Sequence, residues 1–424
     1  MERTPHSPRG WSARDAASAL ILSSLAMTAC AASEPEIEVV SASSGSKGPI
    51  SAPVVLDPGY AAELVYRCDV RVNGVATGEL DPERPGEEIV AVDQLGRVHL
   101  IARVGDSFGH QVIASTSGEL VQVAVGDLLP SAPGTPAMDE IVAVGAHHGK
   151  EDDGGPGIVR VFHREKSGHW AETSYLTPGL VHGVAVGDIG LTEHDQFVCA
   201  GFFPQALVGT LTTQVKGGAV AMGIGAIDLP RIGNVKGVAL TEEGFVLAAD
   251  DGHSVEYMVL PGEFGHQPPV QHGSPLSRVA YSKEIGVLLA DDEGHLRILS
   301  TGPSPTSSLL ESSEDRLRGA VFMDIDPGSE GAEAQGLEAC SVGYDGRVRV
   351  VDLSRVDGKQ PESSGQSQAI GFEGKLRHVA RDTDKLHDLR AGDIADFGPC
   401  LITCGDSGHV LLIHRKDGKV ARKP

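Results

Sequence analysis

Aromatic residues make up only 4% of this 424-residue chain, with two tryptophans. No basic run interleaved with aromatics occurs in it. The formal net charge is −23 at pH 7, so the electrostatic footprint of a nucleic-acid binder is missing and nucleic acid is excluded as an expected partner. The acidity is spread along the chain, as suits an exported protein kept soluble by its own charge. Nothing after residue 30 carries a sustained helical period of apolar residues. Nucleophile elbow, metal-binding helix motif, phosphate loop and a carboxylate pair in a distinctive context are all absent too.

What is present is glycine, 54 residues of it, and many short runs of Val, Ile, Leu and Ala bounded by Gly, Asp and Pro. Short apolar runs between turn residues read as strands. The fold class expected is therefore all-β.

The first thirty residues are of another kind. Arg3, Arg9 and Arg14 precede "ALILSSLAM", and "MTAC" follows, ending at Cys30. Basic, apolar and small residues in that order form the layout of a secretory signal. The apolar run covers roughly a dozen residues against the roughly 20 a membrane-spanning helix needs, which disfavours a permanent transmembrane anchor. Residues 30–58 are rich in Ser, Pro, Ala and Gly, a composition that suits a flexible tether. The expected division is a signal peptide over 1–29, a linker over 30–58 and a folded body over 59–424.

That body repeats. A strand ending in Gly-Asp or a relative of it recurs as "VATGELD" at Val75, "VAVGDLL" at Val123, "VAVGDIG" at Val184, "GVALTEE" at Gly237, "RVAYSKE" at Arg278, "AVFMDID" at Ala320 and "LRAGDIA" at Leu389. Each is followed by an apolar strand, and in most copies by a tight turn and another strand, as in "EEIVAVDQLGRVHLIAR", "LEACSVGYDGRVRVVDL" and "PCLITCGDSGHVLLIHR". The spacing is about fifty residues, the size of one four-stranded propeller blade. One such sheet cannot bury both faces by itself, whereas a ring of them does. Runs such as "EIVAV" are continuously apolar, as for strands covered on both faces, while "RVHLIAR" largely alternates. The "DDG", "DEG", "YDG" and "DSG" segments supply the positive backbone angle that hairpins require, so Asp251, Asp345 and Asp406 read as turn residues.

A ring has to close. The last copy ends soon after its third strand, at Arg415, and the stretch "GYAAELVYRCDV", Gly59 to Val70, belongs to no copy of its own. The expected architecture is a seven-bladed β-propeller whose last blade is completed by this N-terminal strand.

Two resemblances follow from these residues. "LAMTAC" resembles the lipobox of bacterial lipoproteins, which implies lipidation at Cys30, an exported protein in the cell envelope, and sorting to the outer membrane where there is one, since Ala31 stands where Asp would retain it. The membrane would then be met through the N-terminal lipid only. "VAVGD", "DEIVAVG" and "GIVRVF" resemble the FG-GAP or VCBS repeats of integrin-like and bacterial exported propellers, over most of residues 60 to 415. This implies a recognition propeller that binds a protein or glycan at the cell surface. Those families commonly carry a calcium loop after the first strand, and here it is mostly eroded. The WD repeat fits less well, because the Gly-His pairs at Gly252, Gly294 and Gly408 fall inside the hairpin and no Trp-Asp pair answers them.

Candidate sites are few. Calcium takes six to eight oxygens, and "ELDPERPGE" comes nearest, with Glu79, Asp81, Glu83 and Glu87 at alternate places and Arg84 where the turn wants Gly. His147, His148, Asp152 and Asp153 in a Gly-rich insertion include transition-metal ligand types, but adjacent histidines in a strand point to opposite faces. Five cysteines besides Cys30 match no zinc spacing. They read as buried free thiols. Asp127, Asp188, Asp324 and Asp393 recur at the end of the first strand, and recurrence favours a structural role.

The expected function is a non-catalytic recognition or scaffolding propeller presenting loops, chiefly Ala146 to Gly157 and Phe202 to Gly218. The alternative is an exported propeller enzyme (lyase, hydrolase or quinone-dependent dehydrogenase) with convergent polar residues in the central channel.

Overall fold

The computed structural model describes residues 52–416 apart from 85, 131–137, 150–154, 166, 214–218, 261–262, 301–305, 326–336 and 358–369. The proposed signal peptide lies outside the described residues, as do residues 30–51 of the proposed tether, Cys30 among them.

Seven antiparallel sheets follow one another along the chain, and no helix occurs among the described residues. Blade 1 holds Val72–Gly78, Glu88–Asp93, Arg97–Val104 and Ser107–Ser115. The innermost strands of the next five blades are Leu120–Gly126, Val181–Gly187, Val235–Thr241, Leu276–Ser282 and Leu317–Met323. Blade 7 begins with Leu386–Ile394 and continues through Gly398–Gly405 and His409–Arg415. Each innermost strand packs on the next, and the seventh packs on the first. This is a closed seven-bladed β-propeller.

The closing strand is the expected one. Tyr60–Arg67 pairs antiparallel with His409–Arg415, from Tyr60 opposite Arg415 to Arg67 opposite His409. The body reaches back further than Gly59, because Val54 and Val55 pair with Arg381 and Ala380 as a fifth strand of blade 6. Part of the stretch read as tether therefore belongs to a sheet. A second correction concerns Phe202 to Gly218. Phe203–Thr213 is the third strand of blade 3, paired on both sides, rather than a presenting loop.

The continuous apolar runs have a simple cause. Successive strand residues point to opposite faces, and each face of a blade meets a different neighbour. Ile89 and Ala91 lie in the core shared by blades 7 and 1, while Val90 and Val92 lie in the core shared by blades 1 and 2. Seven large apolar clusters result, one for each interface around the ring.

The hairpin between second and third strands is built as its composition suggests. Gly96, Gly252, Gly294, Gly346 and Gly408 all have positive φ. The preceding aspartate ties down the turn: Asp93 Oδ1 accepts from the backbone of Leu95 and Arg97, both at 2.9 Å. Asp291 does the same for Glu293 and His295. All seven innermost strands also carry a bulge after their first residue. A bulge re-aims one side chain out of the ladder, and here it sets the residues around the channel.

Candidate functional site: the channel and its two mouths

Partway along the channel three blades contribute side chains just past the bulge: Gln122, Arg278 and Asp388, where the other four have glycine. Arg278 Nε lies 3.8 Å from Asp388 Oδ1, with side chains only 7% and 1% exposed, so a charge pair spans from blade 5 to blade 7. Arg278 also donates to the Lys236 carbonyl of blade 4 at 3.3 Å. Asp388 Oδ2 accepts from the Val75 amide at 3.2 Å and faces Arg390 at 3.6 Å. Gln122 accepts from the Val184 amide at 2.9 Å. The convergent charges that a channel enzyme needs are here engaged with one another and with backbone.

One mouth is acidic, and its acids hold blades together. The residue just before the second strand and the first residue of that strand are Glu87 and Glu88 in blade 1, Asp139 and Glu140 in blade 2, and Asp195 and Gln196 in blade 3. Being adjacent, they point in opposite directions. The first reaches back to the preceding blade: Asp393 N donates to Glu87 at 3.0 Å, Glu79 N to Asp139 at 2.8 Å, and Asp127 N to Asp195 at 3.1 Å. The second fastens its own loop. Leu80 N and Asp81 N donate to Glu88, Leu128 N and Leu129 N to Glu140, and Ile189 N to Gln196. Glycine in "VAVGD" leaves room for this contact, since a Cβ on Gly126 would stand 2.8 Å from Asp195 Oδ2 and 2.4 Å from Val186. Burial pushes Glu88 up to about 7 and Glu140 up to about 8. Burial also raises Asp139, Asp195 and Glu79, the last helped by Asp139, Asp81 and Glu87 nearby.

The expected calcium ligands sit on this mouth without gathering. Among the described residues no three of Glu79, Asp81, Glu83 and Glu87 bring ligand atoms within 4.8 Å of one another. Asp81 faces Arg84 at 3.0 Å and Arg164 at 3.7 Å, while Glu87 holds blade 7. Asp127 and Asp393 have their backbone amides bound by the next blade, and Asp188 caps Gly190 N at 2.6 Å.

The opposite mouth mixes cations with aromatics. The bulge residues there include Asn73, His182, Lys236, Arg318 and His387. Tyr344 is half-buried, with the Arg318 guanidinium 5.0 Å and the Lys385 ammonium 4.9 Å from its ring centre and the His387 ring at 5.3 Å. Across this mouth His182 stacks on Phe202 at 5.8 Å. Asp292 lies between Lys236 at 3.7 Å and Arg318 at 3.2 Å. His148 Nδ1 lies 2.7 Å from Ser117 Oγ and its ring 3.9 Å from that of His147, while Asp152 and Asp153 lie outside the described residues.

The five described cysteines are buried and unpaired, as expected. Sequence spacing missed what surrounds one of them. Cys68, Asp93 and His99 bring ligand atoms within 4.8 Å of one another, although 25 residues separate the cysteine from the aspartate. Burial pushes the Cys68 thiol up to about 12, so it donates its proton to Asp93 Oδ2 at 3.4 Å. The one signal available was a Cys at the end of the strand that belongs to no repeat.

No protein-family model matches the chain, and no curated protein matches it in sequence. Among solved structures it is similar to the crystal structure of the WD40 β-propeller domain of Doa1, with a TM-score of 0.55 and 13% identity over 86% of this chain and 100% of that one. At that identity the likeness shows the fold alone.

Proposed function

We propose that this chain is a non-catalytic recognition or scaffolding propeller that holds a protein partner on its mixed cation and aromatic mouth. The observation that carries the reading is Tyr344, a half-buried ring flanked by Arg318 and Lys385 beside the channel opening. Tyrosine and arginine at the centre of a rigid surface are the residue types that dominate binding energy in protein interfaces. The seven sheets keep that surface rigid, and the channel behind it is occupied by paired charges.

The finer reading is a lipid-tethered propeller of the FG-GAP or VCBS kind in the cell envelope, recognising a protein or a surface glycan. Its support is the run of basic, apolar and small residues up to Cys30 and the "VAVGD" and "DEIVAVG" repeats. On the acidic mouth Asp81 pairs with Arg84 and Glu87 accepts the Asp393 amide.

The test is capture of partners from the native envelope fraction by full-length protein, Tyr344→Ala and Lys385→Glu, with Asp188→Asn on the acidic mouth as control. The expected result is a partner whose capture falls at least about tenfold for the first two variants, the loss of one good anchor. The control should capture it normally. Equal capture by all four proteins would overturn the assignment of this mouth.

A further inference from the structure

The hairpin aspartate recurs from blade to blade, and so does a polar group that clasps it from the connection between blades. In blade 5 that group is Ser274, donating to Asp291, with His295 Nδ1 at 3.0 Å from the same carboxylate. In blade 6 the connection reaches the hairpin aspartate only indirectly, Ser313 accepting from Arg349, which pairs with Asp345. In blade 7 the arrangement is turned round, with Asp382 in the connection bound to Ser407 and His409. A hydroxyl or carboxylate therefore suffices as clasp. Blade 1 alone among these uses a thiol, Cys68.

A thiol is the weaker hydrogen-bonding group, so the clasp does not explain its choice. Its neighbours do. Cys68 Sγ lies 3.4 Å from Asp93 Oδ2 and 3.6 Å from Asp69 Oδ1, and His99 Nε2 lies 2.9 Å from Asp93 Oδ2. Zinc bonds of about 2.3 Å to sulfur and about 2.0–2.2 Å to nitrogen and oxygen put tetrahedral ligand atoms roughly 3.3–3.7 Å apart; the 3.4 Å between Cys68 and Asp93 falls in that range, and the 2.9 Å between Asp93 and His99 would have to open by a few tenths of an ångström. His99 Nδ1 lies 2.9 Å from His110 Nε2, the outer partner that orients a ligating imidazole. The His110 ring is itself held against Tyr66 at 4.1 Å.

Charge agrees with the geometry. Arg97 reaches Asp69, Asp93 and the Cys68 sulfur. One guanidinium faces two carboxylates, which leaves the cluster one negative charge when the thiol is protonated and the histidine neutral. A divalent ion that displaces the thiol proton brings the sum to zero: the sulfur–hydrogen bond is replaced by a sulfur–metal bond and the proton leaves to water.

We propose that Cys68, Asp93 and His99 form a binding site for a zinc-like divalent metal, with a water as fourth ligand. Asp69 is largely exposed and offers the side of entry. Cys68 directly follows the closing strand, while Asp93 and His99 belong to blade 1. The metal would fasten the last blade to the first at the ring's seam.

The test uses full-length protein stripped with a chelator and titrated with zinc, then with cobalt(II) as a spectroscopic probe. One zinc per chain, a thiolate-to-cobalt charge-transfer band and a zinc-dependent rise in unfolding temperature are expected. Cys68→Ser retains the clasp, as Ser274 makes it in blade 5. It should fold like the wild type without metal, lose the band and bind zinc at least about tenfold more weakly, while His110→Gln weakens binding by about tenfold through its effect on His99. A double variant, His147→Ala with His148→Ala, should leave the band intact. The proposal is overturned if cobalt gives no thiolate band, or if Cys68→Ser holds zinc as tightly as wild type.

Discussion

Glu140 gives the molecule an unusual pH response that one substitution removes. Its carboxyl is 3% exposed and pushed up to about 8 by burial, despite accepting the amides of Leu128 and Leu129 at 2.8 and 2.9 Å. In the unfolded chain the same group has its ordinary value near 4.5. A carboxyl whose folded value is raised binds its proton more tightly in the native state, so the stability it contributes is full below about 4.5 and is lost as pH rises towards 8. Each such group costs about 1.4 kcal/mol per pH unit within that window. Glu88, raised to about 7, acts in the same direction. His110 and His272 act oppositely, since burial lowers both to about 4 and stability rises as pH climbs from there to 6.5. Between pH 4.5 and 6.5 these carboxyls and histidines oppose one another, and from 6.5 to 8 the two histidines no longer contribute. A decline of roughly 2–3 kcal/mol is expected across that upper interval. Blade 3 supplies the control, because Gln196 accepts the Ile189 amide from the same place without titrating. Glu140→Gln should match the wild type near pH 5 and exceed it by about 2 kcal/mol or more at pH 8. Urea unfolding at pH 5, 6, 7 and 8 measures this. Parallel pH curves for the two proteins would refute the reasoning.

Two further outcomes follow from closure and from the channel. Removing residues 1–67 takes away Tyr60–Arg67 and exposes His409–Arg415 as a bare edge; the shortened chain should lose its single cooperative transition and associate, and a peptide spanning residues 52–70 added in trans should restore the monomer, both read by light scattering and circular dichroism. Asp388→Ala leaves Arg278 nearly buried without its carboxylate, for which a loss of about 3–5 kcal/mol is expected in denaturant unfolding, whereas replacing Arg278 and Asp388 together by Met and Leu should recover most of it.

Much of the fold was legible because its determinants are local and repeat. In five of the seven hairpins the turn Gly, the aspartate ahead of it and the apolar run before that lie within a few residues of one another. Seven copies then fix the number of sheets, and an unpaired N-terminal strand together with an incomplete last copy fixes how the ring closes. The same locality explains the misses. Phe203–Thr213 reads as a loop because its blade lacks the Asp-Gly turn, so that strand has no boundary marker. Val54 and Val55 carry too short a signal to distinguish an edge strand from a tether.

By itself, then, the sequence determined a ring of seven hairpin-built sheets and the segment that seals it. Only the tertiary structure decided which acid reaches which blade, that Arg278 meets Asp388 across the channel, that Tyr344 stands between two cations, and that Cys68 faces Asp93 and His99. The reason is geometric. Contacts within a hairpin are set by residues a few places apart, whereas these side chains come from separate blades or the two sides of the seam, and they meet only when every interface has packed and the circle is complete.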